Sequence, residues 1–147
     1  MKPRPKRTQT SSTGKAQRHQ QPISPGDFGR TLAAKFPALR IKLAKLKLDW
    51  EYQQAALFAR FVNECLRFGD VEAAERALGL VEESYPDADD FLRNTLECDF
   101  FETLDLHGPE RQQLFLQLST ELQKIYRGAQ EYVGRPFGRT GSSRSAR

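Results

Sequence analysis

Cysteine, histidine, methionine and tryptophan are scarce in this 147-residue chain, at two, two, one and one. Cys65 and Cys98 each sit within an apolar-periodic stretch. They exclude a disulfide-built scaffold and read as small hydrophobes in a reducing cytosol, although one bridge between neighbouring helices stays open. His19 and His107 are too few and too scattered for zinc, so no metal is expected. No apolar run approaches the roughly 20 residues of a membrane span. The N-terminal positive charge is followed by no apolar stretch, which argues against a secretory signal. Pro3, Pro5, Pro22 and Pro25, with no leucine before residue 27, argue against the amphipathic helix of a transit peptide. A cytoplasmic location is the expectation. Glycine-rich phosphate loops and a nucleophile beside a positioned histidine are also lacking, so neither an enzyme nor a cofactor is expected.

Acid is missing from both ends. Residues 1–26 carry Lys2, Arg4, Lys6, Arg7, Lys15 and Arg18 with no Asp or Glu. Residues 134–147 carry Arg135, Arg139, Arg144 and Arg147, again with no acid. The whole chain has a formal charge of +4, so removing those ten charges leaves −6 on residues 27–133. The basic character belongs to two tails around an acidic body. Both tails are polar, with too few apolar residues to offset their ordering entropy, and are expected to be disordered. Phe137 is the residue of the C-terminal tail that could dock on the body.

The body, residues 27–133, is long enough for one domain with its own core. Its punctuation is helical. Asp27 can cap a short helix to Lys35 that carries Phe28, Leu32 and Phe36 inward. Pro37 stops that helix and can start the next. Leu39 to Trp50 fits either a strand (Leu39, Ile41, Leu43) or a helix (Leu39, Leu43, Leu46, Trp50). Good helix formers and scarce β-branching favour the helix. Glu51 to Phe68 presents Leu57, Phe58, Phe61, Val62, Cys65 and Leu66 as one stripe. Gly69 and Asp70 supply a stop and an N-cap. Val71 to Ser84 then presents Ala74, Ala77, Leu78 and Val81. After Pro86, Asp87 or Asp89 can cap a helix burying Phe91, Leu92, Thr95, Leu96, Phe100 and Leu104. After the His107-Gly108-Pro109 turn, one helix of roughly 36 Å is expected to reach Val133 and brace the others. Its stripe is Leu114, Phe115, Leu118, Leu122, Ile125, Tyr126, Ala129 and Tyr132. The fold class is all-α: a single-domain up-down bundle or HEAT-like layer of about five to six helices, with disordered basic tails.

Several short motifs run in a familiar order: Phe36-Pro37-x-Leu39, Leu57-Phe58-x-x-Phe61 and Gly69-Asp70, then Ala77-Leu78-x-x-Val81-Glu82, Asp90-x-Leu92-x-Asn94 and Phe100-Phe101-Glu102-x-Leu104. Over about residues 30–130 this order resembles a family of small, uncharacterised all-helical bacterial domains. Some members look like immunity proteins encoded beside polymorphic toxins. The resemblance implies the fold through core and turn residues and brings no catalytic residues with it. The basic tails lie outside its pattern.

Residues 70–105 hold twelve acids against Arg76 and Arg93, a charge of −10 over 36 residues. One account is a solvated face with acids at helix starts. The other is a docking face for a basic protein such as a toxin domain, with Glu82, Glu83, Asp87, Asp89, Asp90 and Glu97 as candidate partner-binding residues. Residues 30–47 form a basic pole of Arg30, Lys35, Arg40, Lys42, Lys45 and Lys47. Such a helix either packs its leucines on its own core or lies on an anionic surface. The tails offer weak, sequence-independent nucleic-acid binding as the alternative function. They lack interleaved aromatics for stacking on bases.

Overall fold

The computed structural model describes residues 21–46 and 50–137. Residues 1–20, 47–49 and 138–147 lie outside it, and with them most of both expected tails and Lys47. Among the described residues the protein is all-α, with seven helices and no strand. They are α1 (Pro25–Lys35), α2 (Pro37–Ala44), α3 (Trp50–Arg67), α4 (Val71–Ser84), α5 (Asp90–Thr95), α6 (Pro109–Gln117) and α7 (Thr120–Tyr132). A 3-10 turn, Tyr85–Asp87, joins α4 to α5. A π-helical turn, Leu96–Phe100, and one further helical turn, Phe101–Thr103, prolong α5.

The helix boundaries follow local chemistry. Ser24 caps α1, accepting from the Asp27 N–H at 3.1 Å while Asp27 accepts from the Ser24 N–H at 3.2 Å. This reciprocal box satisfies two otherwise orphaned donors. The helix therefore starts two residues before the expected Asp27 cap. The body also begins earlier than residue 27. Ile23 forms a parallel bridge with Ala88, donating to the Asp87 carbonyl and accepting from the Asp89 N–H, each at 2.8 Å. Residues 37–44 are helix rather than strand, but α2 ends at Ala44, short of Trp50. Gly69 takes φ +84° and the Asp70 carboxylate accepts from the Ala73 N–H, as their residue types require.

The expected last helix is two helices. Leu118 is extended, and Ser119 opens α7 by accepting from the Leu122 N–H at 3.2 Å. The Leu118 side chain is still buried, so the break keeps the apolar stripe. The Gln123 amide donates to the Leu118 and Phe115 carbonyls, which closes the end of α6. The bracing role falls instead to α3, which packs against α1, α2, α4, α5 and the π turn. Along the expected stripes, Phe91 and Tyr132 are exposed, and Phe61, Cys65 and Leu66 are half-buried. The smaller Ala55 and Ala59 are buried with Phe58 and Val62 on the inner face of α3.

Beyond the helices, the chain from Thr103 to His107 is held by side chains. Asn63 donates to the Thr103 carbonyl and accepts from the Asp105 N–H. Burial alone would raise the Asp105 carboxyl, but the His107 backbone N–H and ring, with Arg111 nearby, hold it below the ordinary value. A carboxyl depressed in the folded state contributes stability above its unfolded pKa and loses it as pH falls through the folded one. Asp105→Asn should therefore melt lower than the wild type at about pH 7, and the gap should narrow by about pH 3. The gap should stay under about 1 kcal/mol because the carboxyl is half-exposed and screened. Equal gaps at both pH values would show that the charge does not act.

Candidate functional site

The acidic segment folds into the corner where α4 meets α5. α4 ends in Glu82, Glu83 and Ser84, with no base in its last turn. Carboxylates there oppose the helix dipole, which favours cations at a C-terminus by about 0.3–1 kcal/mol. Glu82 has a local compensation. Its two oxygens accept from the Ser119 N–H at 3.2 and 3.1 Å, so it caps the start of α7 from outside. Glu83 has no such bond and is exposed. It borders a groove of about 450 Å³ with Lys35, Phe36 and Arg76.

Asp89 is the N-cap of α5, accepting from the Leu92 N–H at 2.7 Å. Asp87 and Asp90 beside it are exposed. Glu97 on the π turn accepts from the Tyr85 hydroxyl. Burial, then that carboxylate, pushes the Tyr85 phenol well above its ordinary pKa, with Glu121 of α7 adding to the effect. Arg93 stacks over the Tyr85 ring at 5.2 Å and donates to the Tyr85 and Pro86 carbonyls. Its charge is therefore directed at the carbonyls of the 3-10 turn rather than at the neighbouring carboxylates.

The six candidate acids thus divide. Glu82, Asp89 and Glu97 each hold a fold-supporting hydrogen bond. Glu83, Asp87 and Asp90 point to solvent around the corner. Among the described residues, Asp105 is the only one of the twelve acids in residues 70–105 within salt-bridge distance of a base. Further along, burial raises the Asp99 and Glu102 carboxyls, and Asp99 raises Glu102 further. Residue spacing did not single out Tyr85, Arg93 or Glu121. A buried tyrosine among acids is the signal that could have found them.

For other chemistry the thiols are poorly placed. Cys65 and Cys98 are unpaired and half-buried, and burial followed by neighbouring carboxylates pushes both above their ordinary pKa. This reduces the thiolate population that nucleophilic or metal chemistry needs. Among the described residues no group of three or more His, Cys, Asp or Glu could hold a metal ion, and no helix is long and apolar enough to cross a membrane.

Residues 30–133 match a domain of unknown function, DUF7674. The chain belongs to the DUF7674 family. No curated protein and no solved structure matches it. The DUF7674 span contains all six candidate acids and every helix except the first five residues of α1. It leaves out Ile23 and Phe137, two residues that this chain packs against the domain core.

Proposed function

We propose that the protein is a non-enzymatic, cytoplasmic protein-binding module whose α4–α5 corner docks a basic partner. Its sharpest form is an immunity-type inhibitor that covers a basic toxin domain. The observation that carries this reading is the exposed trio Glu83, Asp87 and Asp90, unpaired by any base among the described residues. Glu83 also stands against the dipole of its own helix. Uncompensated charge of one sign costs local stability and gains association rate with an opposite-sign surface.

The division among the acids decides which variant to make. Reversing Glu82 or Asp89 would break a helix cap and confuse unfolding with loss of binding. Reversing Glu83, Asp87 and Asp90 to Lys leaves those caps intact. That triple variant should stay helical by circular dichroism and retain its basic partner from native-cell extract at least about tenfold less well at low salt. Removing residues 1–20 and 138–147 should leave capture intact. The docking face is wrong if the reversed protein keeps its partner. If the tailless protein instead loses a salt-sensitive affinity for RNA or DNA, the basic tails are the functional element.

A further inference from the structure

The chain enters the body at the acidic corner itself. Ile23 bridges Ala88, its N–H donating to the Asp87 carbonyl and its carbonyl accepting from the Asp89 N–H, each at 2.8 Å. The bridge is parallel, so Pro22 approaches it from the Asp87 side. This anchor lies beside the three exposed carboxylates. Asp87 supplies one of its carbonyls, and Asp90 follows Asp89. Glu83 stands four residues before Asp87, about 6–8 Å along a helical path. None of the three is within salt-bridge distance of a base among the described residues. Ile23 precedes the DUF7674 span, so the anchor is this chain's addition to the domain.

Upstream of the anchor the sequence has charge of one sign. Residues 1–20 contain Lys2, Arg4, Lys6, Arg7, Lys15 and Arg18 and no acid. Arg18 is five residues from Ile23 and Lys15 eight. At about 3.3–3.6 Å per residue, their Cα atoms lie no farther than roughly 18 and 29 Å from it. All three carboxylates fall within that reach. An open acidic face has no depth with which to select a ligand, but covalent attachment selects this one. A segment tethered at the edge of a face meets it at an effective concentration of order 1 mM. We infer that the basic N-terminal segment is an internal ligand of the α4–α5 corner and competes with basic partners for it. Lys15 and Arg18, nearest the anchor, carry most of the contact. The inference rests on the reading of the corner as a face for basic chains and adds its regulation. A partner must outbid the tethered cations, so weakly basic chains are turned away.

The test keeps the full chain and changes only charge. One variant carries Lys2→Gln, Arg4→Gln, Lys6→Gln, Arg7→Gln, Lys15→Gln and Arg18→Gln. At about 20 mM salt its amide signals for Glu83, Asp87 and Asp90 should differ from those of the wild type, and the differences should vanish by about 300 mM. A synthetic peptide of residues 1–20, added in trans at low salt, should bind the neutralised variant at least about threefold more tightly than the wild type. Adding Glu83→Lys, Asp87→Lys and Asp90→Lys to either chain should remove both effects. The inference fails if the corner signals of the wild type and the neutralised variant coincide at low salt, or if both bind the peptide equally. It also fails if the shifts centre on Asp99, Glu102 and Asp105, or if Arg139→Gln, Arg144→Gln and Arg147→Gln reproduce them instead. No partner is present in these measurements. The internal contact can therefore fail while capture from extract succeeds, and capture can fail while the internal contact stands.

Discussion

Phe100→Ala should destabilise the protein by about 3–5 kcal/mol, the cost of deleting a large buried ring whose surroundings collapse only in part. Phe100 is fully buried, with the Phe58 ring centroid at 5.2 Å and that of Phe101 at 5.0 Å. It joins two aromatic groups. Phe28, Phe36 and Phe58 lie on the α1–α3 side, and Phe101, Tyr126, Phe115 and Phe137 on the α6–α7 side. Removing the joint leaves a void that neither group can fill without moving off its packing. Phe61→Ala should cost clearly less, because Phe61 is half-buried and touches the cluster through Phe36 at 5.4 Å. Urea unfolding of both variants with unchanged slope would measure the difference. A Phe100→Ala protein no less stable than Phe61→Ala would disprove the bridging role.

The contrast between those two phenylalanines shows what the sequence could reveal. Periodicity places both on stripes, but it does not say how deep each stripe position lies. α4 was legible because its signals agree: Gly69 and Asp70 begin it, small alanines line it, and Pro86 follows it. The π turn was not legible. It brings consecutive residues, Phe100 and Phe101, both into the core, whereas α-helical spacing chose Phe91 and passed over Phe101. Ser119 carried a cap signal that the apolar stripe through Leu118 and Leu122 masked. For the candidate site, sequence located the acidic corner but not the division of labour in it. Asp89 was legible as a possible cap. Glu82 could not be, since its partner, the Ser119 N–H, is 37 residues away.

The same blindness to long-range polar contacts hid Gln130, and Gln130→Leu should cost about 2–4 kcal/mol although it leaves no large cavity. Gln130 is fully buried beside Ala129, at a position where apolar spacing looks one turn face further on, to Tyr132. Its Nε2 donates to the Phe101 carbonyl at 2.8 Å and the Leu104 carbonyl at 3.1 Å. Those carbonyls end the helical turn that follows the π turn, so a side chain on α7 does the work of a C-cap. Its Oε1 accepts from Arg135 Nε at 3.1 Å, and Arg135 also donates to the Glu102 carbonyl at 2.6 Å. Two residues on, the Phe137 ring sits against Phe115, Tyr126 and His107, with centroids at 4.6, 4.9 and 5.0 Å. Leucine fills the space but leaves buried carbonyls without donors and frees the Arg135 guanidinium. The C-terminal segment should then exchange its amide hydrogens faster than the wild type, before global unfolding. Tyr132→Ala is the matched control. Its side chain is 80% exposed, so the change should stay within about 0.5 kcal/mol. If Gln130→Leu melts with the wild type while the segment around Phe137 keeps its protection, the amide does not hold the strap, and the ring cluster alone anchors it.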